Sequence, residues 1–143
     1  MPRVKKSIRI DAPVEEVFAF MSNPVNFPEV WSSLVEMSGV KTKPDGRFSF
    51  NWVYKMGGIK FTGSGECIEV LPNKRVVMEN KKEIPSKFVW IYDSEGAGTR
   101  VTMEVDYTIP ISLINKIAEK IIIKLNEQEA DNLLLNLKAR MEG

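Results

Sequence analysis

The chain has 143 residues, of which 43% are hydrophobic and 27% charged, a composition typical of one globular domain. Its formal net charge of +1 argues against nucleic acid as a partner, because no strong positive field would attract a phosphate backbone. The absence of histidine excludes histidine-dependent catalysis and most zinc sites. We therefore expect one domain over residues 1–143 that requires neither a metal nor an organic cofactor.

The cysteine content and the N-terminus indicate the compartment. Cys67 is the sole cysteine, so it has no partner for an internal disulfide, and residues 1–6 lack the apolar run of a secretory signal. No apolar run approaches the ~20 residues that span a bilayer. These features predict a cytoplasmic protein without a transmembrane segment, for which peripheral contact with a membrane is still possible.

The N-terminal part of the chain predicts a strand followed by two short helices. Residues 7–10 alternate polar and apolar side chains, as a half-buried strand does. Pro13 suits the first turn of a helix, and the Asn23-Pro24 pair should end that helix. A second short helix is predicted over residues 27–31.

The segment from about residue 35 to 108 is typical of β-structure, with alternating Val, Ile, Thr and aromatic residues. Five turn signals separate about six strands, so each strand should pair with the next in an antiparallel meander. With the N-terminal strand, the predicted sheet has about seven strands. The turn signals are Pro44-Asp45-Gly46, Gly57-Gly58, Pro72-Asn73-Lys74, Pro85-Ser86 and Glu95-Gly96-Ala97-Gly98.

Residues 111–141 predict one long helix, because their interior contains neither Gly nor Pro. The predicted helix carries two apolar stripes along its surface, and we expect the sheet to grip the first of them. The helix should then either bend near residues 126–129 or contact different surfaces with its two halves. The first stripe is Ile114, Ala118, Ile121, Ile122 and Leu125. The second stripe is Leu133, Leu134, Leu137 and Met141.

Basic residues recur every fourth position along the same helix, at Lys116, Lys120 and Lys124. Such a face is usually solvated. A basic amphipathic helix can also lie on anionic lipid, so both interpretations stay open.

Several short motifs, in this order, resemble the SRPBCC superfamily, which includes START lipid-transfer domains, the birch-pollen allergens and polyketide cyclase/dehydrase-like proteins. The resemblance covers about residues 4–140 and implies an α+β helix-grip fold, in which a seven-stranded, bent antiparallel sheet wraps around a long C-terminal helix. It also implies a deep cavity for an apolar ligand between them. The polyketide cyclase-like proteins and the accessory protein of carbon monoxide dehydrogenase clusters are the most similar subgroups. The motifs include Ile10-Asp11-Ala12-Pro13, Val17-Phe18, Asn23-Pro24, Phe27-Pro28, Trp31 and Gly98-Thr99-Arg100-Val101-Thr102.

Aromatic side chains alternate along two predicted strands and therefore project from one face of the sheet. A concave face of this kind would suit an apolar ligand, with Trp and Tyr supplying polar tips. The simpler alternative is that these side chains fill the core against the helix. The candidate ligand-binding residues are Phe27, Trp31, Phe50, Trp52, Tyr54, Phe61, Glu66, Phe88, Trp90, Met103, Tyr107, Ile117 and Ile121.

The register of the strand over residues 59–70 is ambiguous, because mid-strand glycines such as Gly65 often mark a bulge or a bend. Without a bulge, Glu66 faces inward, where an apolar cavity would destabilise its charged form and make it the candidate catalytic acid or base. A bulge near Gly65 would instead place Phe61 and Cys67 inside. Glu66 would then be a solvated strand residue.

These features favour an intracellular binding protein that carries, senses or delivers a hydrophobic small molecule or lipid, as a monomer or a homodimer. One alternative is a polyketide cyclase or dehydratase that uses Glu66 or tyrosines as acid and base groups. Another is an interaction module of the same fold that docks to a membrane or a chaperone.

Overall fold

Seven β-strands form one antiparallel sheet in the computed structural model, which describes residues 2–56 and 58–143. The strand order is β1-β7-β6-β5-β4-β3-β2, so each strand from β2 onward pairs with the next, and β1 pairs with β7. This order confirms the predicted meander. In the predicted Gly57-Gly58 turn, Gly57 lies outside the described residues. The strands are β1 (Arg3–Ile10), β2 (Leu34–Thr42), β3 (Phe48–Met56), β4 (Ile59–Leu71), β5 (Arg75–Asn80), β6 (Ser86–Glu95) and β7 (Gly98–Tyr107).

The helices lie in two groups, one after β1 and one after β7. As predicted, the first helix begins directly after Pro13, whose backbone is extended, and a 3-10 turn at Pro24–Asn26 follows it. A second short helix comes next, which confirms the expected pair. The α-helices are α1 (Val14–Met21), α2 (Phe27–Val30), α3 (Ile111–Ile114) and α4 (Glu119–Glu142).

The predicted continuous helix over residues 111–141 is interrupted between α3 and α4, which corrects the sequence-based expectation. Leu113 and Ile122 are both buried, yet they are about two and a half helical turns apart and would point to opposite faces of one continuous helix. Ala118 has φ −57° and ψ 137°, outside the helical region, and this break allows both side chains to reach the core. Helix α4 then continues through residues 126–129.

The sheet grips the second apolar stripe of α4, so the expectation for the first stripe is wrong. Leu133 and Leu137 are buried in the core, whereas Ile121 and Leu125 are 55% and 47% exposed. Of the first stripe, only Ile122 is buried. The two stripes have similar hydrophobicity, and the contacts of the rest of the chain decide which one is covered.

Hydrogen bonds attach the C-terminal half of α4 to the elements around it. Asn136 Nδ2 donates to the carbonyl of Val30 at 3.1 Å, at the end of α2, and Lys138 Nζ donates to the carbonyl of Arg9 on β1 at 3.1 Å. These contacts place the Leu133 and Leu137 side of the helix against the sheet.

The register of β4 follows the second predicted alternative, with a bulge between Cys67 and Glu69. Phe61 and Cys67 are buried on the inner face, and Glu66 points to the outer face. The irregularity comes slightly later in the strand than the predicted position near Gly65. The inward-facing alternative for Glu66 is therefore wrong.

We expect Leu137→Ala to lower the free energy of unfolding by about 2–5 kcal/mol, because it leaves a cavity at a fully buried position. Leu135→Ala is the matched control on the same helix, where the leucine is 55% exposed, and should cost within about 0.5 kcal/mol. Urea denaturation followed by circular dichroism measures both. Similar small losses in the two variants would contradict the described packing of α4.

Tyr92 provides a prediction on pH dependence. It is 2% exposed and packs edge-on against Phe18 with ring centroids 5.3 Å apart, and burial raises the pKa of its hydroxyl above the usual value. The unfolded chain ionises its tyrosines near pH ~10, whereas folded Tyr92 keeps its proton. This stabilisation is therefore complete below about pH 10 and is lost as the pH rises further. Tyr92→Phe should flatten the fall in unfolding free energy between about pH 9 and about pH 11. An equally steep fall in the variant would refute the assignment.

Candidate functional site

A cavity of about 100 Å³ lies between the concave face of the sheet and α4. Because a single buried water needs roughly 10–15 Å³, the cavity has room for several atoms of a ligand. Its wall is formed by β1, by the first residue of β2, by β3, β5, β6 and β7, by α2, and by the middle of α4. Most of the wall is apolar, as is typical of a site for a hydrophobic molecule.

Eight of the predicted candidates lie on the cavity wall, although their role in binding remains a prediction. Alternation along β3 brings three of them to the inner face, and β6 and β7 contribute three more. The remaining two come from α2 and the residue that follows it. They are Phe27, Trp31, Phe50, Trp52, Tyr54, Phe88, Met103 and Tyr107.

Four other candidates lie away from the cavity wall. Phe61 and Trp90 are buried in the core, and Trp90 lies two residues further along β6 than Phe88, beyond the cavity. Ile117 is half-buried in the segment between α3 and α4, and Ile121 is exposed to solvent. We expected Ile117 and Ile121 on the cavity wall because we expected the sheet to grip the first stripe of the helix. The sheet grips the second stripe, so neither residue lies on the wall.

Glu66 is also outside the cavity, on the convex face of the sheet. Its carboxylate lies 3.9 Å from the Lys81 ammonium and its side chain is 55% exposed. The bulge of β4 comes after Glu66, so this residue keeps the outward register of the first part of the strand. The candidate role as an internal acid or base is therefore wrong.

Two glycines of β4 allow the aromatic rings of β3 to lie flat against the sheet. A Cβ atom at Gly63 would collide with the ring of Trp52, and one at Gly65 would collide with the ring of Phe50. The pairing of β3 with β4 is regular through both glycines, so they serve close packing of the rings, and the irregularity of the strand lies later, between Cys67 and Glu69. Trp52 and Phe50 can line the cavity because these two positions lack side chains.

A carboxylate enters the cavity from α4. Glu129 accepts a hydrogen bond from Trp31 Nε1 and a second from Tyr54 Oη at 2.6 Å. Trp31 packs edge-on against Tyr54 at 5.9 Å and tilted against Phe88 at 5.2 Å, between ring centroids. The two donors are therefore held in place by aromatic packing, and they fix the position of the carboxylate.

The environment of Tyr54 keeps its hydroxyl protonated. Burial, together with the negative charge of Glu129 and the hydrogen bond to it, raises the pKa of Tyr54 well above its usual value. Burial also raises the pKa of Tyr107, whose hydroxyl accepts a hydrogen bond from Asn126 Nδ2 at 3.0 Å. Both tyrosines thus present neutral hydroxyl groups to the cavity.

A second polar group lies at the β5 and β6 side of the cavity. Trp52 Nε1 donates to Asn80 Oδ1 at 3.0 Å, and Asn80 Nδ2 donates to Ser86 Oγ at 2.8 Å. Ser86 Oγ in turn donates to the carbonyl of Ile84 at 3.1 Å. These groups satisfy one another. Within residues 2–56 and 58–143, no cluster of three metal-ligating side chains is present.

The polar residues of α4 that line the cavity were missed at the sequence level. Asn126, Glu129 and Ala130 line the wall, followed by Leu133, at helical spacings of three and four residues. The signal was available, because extending the stripe of Leu133 and Leu137 backward by one or two turns reaches Glu129 and Asn126.

Comparisons with solved structures show that this fold recurs in other proteins. TTHA0849 from Thermus thermophilus aligns with a TM-score of 0.84 and 22% identity, over 98% of this chain and 97% of the other. A START superfamily protein from Mycobacterium smegmatis aligns with a TM-score of 0.83 and 14% identity, over 99% and 98% of the two chains. The Zhui aromatase/cyclase from Streptomyces sp. R1128 aligns with a TM-score of 0.76 and 10% identity, over 98% and 93%. At these identities the likeness shows the fold alone.

A search of the curated proteins found no significant match. The sequence model of one protein family, described as polyketide cyclase / dehydrase and lipid transport, matches residues 1–142. The match covers nearly the whole chain and agrees with the helix-grip architecture described above. The chain therefore belongs to the polyketide cyclase / dehydrase and lipid transport family, and its fold is that of a START superfamily protein.

Proposed function

We propose that the chain is an intracellular binding protein that holds a hydrophobic small molecule or lipid in the cavity between its sheet and α4. The observation that carries this proposal is the apolar cavity itself, whose aromatic wall is built by Phe50, Trp52 and Phe88. A fully interlocked core of these side chains would leave no space for a ligand. The family to which the chain belongs includes lipid transport in its description, which supports the same function.

A dye-binding experiment tests this function. N-phenyl-1-naphthylamine, a neutral apolar dye, should bind with a dissociation constant on the order of micromolar and quench tryptophan fluorescence. Ala130→Leu should weaken binding about tenfold, because residue 130 lines the cavity and a larger side chain would fill part of it. Ala139→Leu, at an exposed position of the same helix, is the matched control. Absence of dye binding, or equal affinity in the two variants, would contradict the proposal.

A cyclase or dehydratase is the alternative, and one observation favours it. The hydrogen bond between Tyr54 Oη and Glu129, 2.6 Å long, pairs an acid with a base inside an apolar cavity. Such a pair could exchange a proton with a bound substrate. Chemical conversion of a bound compound, lost in Tyr54→Phe, would distinguish the enzyme from a carrier.

The junction of α3 and α4 carries an exposed apolar surface, which supports docking to an anionic bilayer as an additional function. Ile111 is 77% exposed, and Ile121 and Leu125 are exposed on the next helix. Lys120 and Lys124 immediately precede these two residues, so the apolar side chains have cations beside them. Across residues 2–56 and 58–143, no helix is both long and apolar enough to cross a membrane.

Vesicle flotation tests the docking surface. The protein should float with vesicles of phosphatidylcholine and phosphatidylserine, less with phosphatidylcholine alone, and less at high salt, because the salt screens the lysines. Leu125→Ser should reduce the bound fraction severalfold. Leu135→Ser removes a similarly exposed leucine about 15 Å further along the helix and should leave binding unchanged. Equal binding of both variants would exclude this surface.

A further inference from the structure

The cavity contains a single charged side chain among the lining residues that the structure describes, and this residue is Glu129. No ion pair within residues 2–56 and 58–143 involves it. The carboxylate is stabilised by hydrogen bonds from the neutral groups Trp31 Nε1 and Tyr54 Oη. The protein therefore places a negative group in the cavity wall without a cation to balance it.

The hydrogen-bonding capacity of this carboxylate exceeds what the protein uses. A carboxylate offers about four acceptor positions, and Trp31 and Tyr54 occupy two. In contrast, the polar groups on the opposite wall form a closed chain from Trp52 through Asn80 to Ser86. Glu129 is thus the lining group with the strongest unused capacity to accept a hydrogen bond.

The position of Glu129 is held before any ligand arrives. Trp31 is packed between Tyr54 and Phe88, and Tyr54 is anchored on β3 next to β4. A donor that enters the cavity would meet an acceptor whose geometry is already set, so little ordering is required on binding. A ligand carboxylate would meet the same group as a like charge in an apolar environment, where the repulsion is poorly screened.

We infer that the cavity selects apolar molecules that carry a hydrogen-bond donor, an amine or a hydroxyl, which binds Glu129, and that it discriminates against molecules with a carboxylate. This inference rests on the proposed binding function and specifies the ligand class. An apolar body would lie against Phe50, Met103 and the other hydrophobic side chains. The donor of the ligand would form a further, charge-assisted hydrogen bond to the Glu129 carboxylate.

Four compounds with an unbranched chain of eight carbons, which in octanoate includes the carboxyl carbon, test the selectivity at neutral pH by displacement of N-phenyl-1-naphthylamine. Octylamine and octanol carry a donor, methyl octyl ether carries only an acceptor, and octanoate is an anion. We expect octylamine and octanol to bind about tenfold to a hundredfold more tightly than octanoate. Octanol should also bind more tightly than the ether. Equal affinities of octanoate and octylamine, or of octanol and the ether, would overturn the inference.

Variants at two positions of α4 test whether Glu129 is the residue that causes the selectivity. Glu129→Gln should reduce the preference for octylamine over octanoate to within about threefold, because the charge is removed from the cavity. Glu127→Gln removes the same charge from an exposed neighbouring position and should leave the preference unchanged. An unchanged preference in Glu129→Gln would overturn the assignment. If Glu129→Gln does not fold, the comparison of the four compounds with the wild-type protein still decides the outcome.

The results also separate this inference from the proposed function. If the dye binds but the four octyl compounds show no ranking, the cavity is a ligand site and the selectivity is wrong. If neither the dye nor any octyl compound binds, the binding function and the inference that rests on it are both wrong.

Discussion

The packing of the C-terminal half of α4 against the sheet is the contact on which the rest of the structure depends. Leu133 and Leu137 are buried there, and burial of one such side chain contributes roughly 1.5–3 kcal/mol. Hydrogen bonds from Asn136 and Lys138 to backbone carbonyls fix the helix at the end where α2 and β1 lie. With that half of α4 anchored, the direction of the helix over the concave face is determined.

The cavity is a consequence of the same anchoring. The face of α4 that buries Leu133 continues toward the N-terminus as Ala130, Glu129 and Asn126, which line the cavity. One helix face therefore changes from a packing surface to a cavity wall within about two turns. A carboxylate at this boundary needs donors, since burying it without partners is costly, and Trp31 and Tyr54 supply them.

The opposite wall depends on the absence of side chains at two positions of β4. Gly63 and Gly65 allow the rings of Trp52 and Phe50 to approach the backbone of the neighbouring strand. The bulge after Cys67 then changes the alternation, so that Val70 packs toward the core in the last part of the strand. The shape of the aromatic wall thus follows from backbone features of one strand as much as from the aromatic residues themselves.

The sequence alone determined the order of the strands, the antiparallel meander and the inward face of β3, because alternation with a period of two and the turn residues are local signals. It did not determine the register of β4, because one extra residue in a strand reverses the face of every residue that follows. Nor did it determine which apolar stripe of the C-terminal segment the sheet grips. Ile121 and Leu137 are equally suited to burial by their chemistry, and only the tertiary contacts cover one and leave the other exposed.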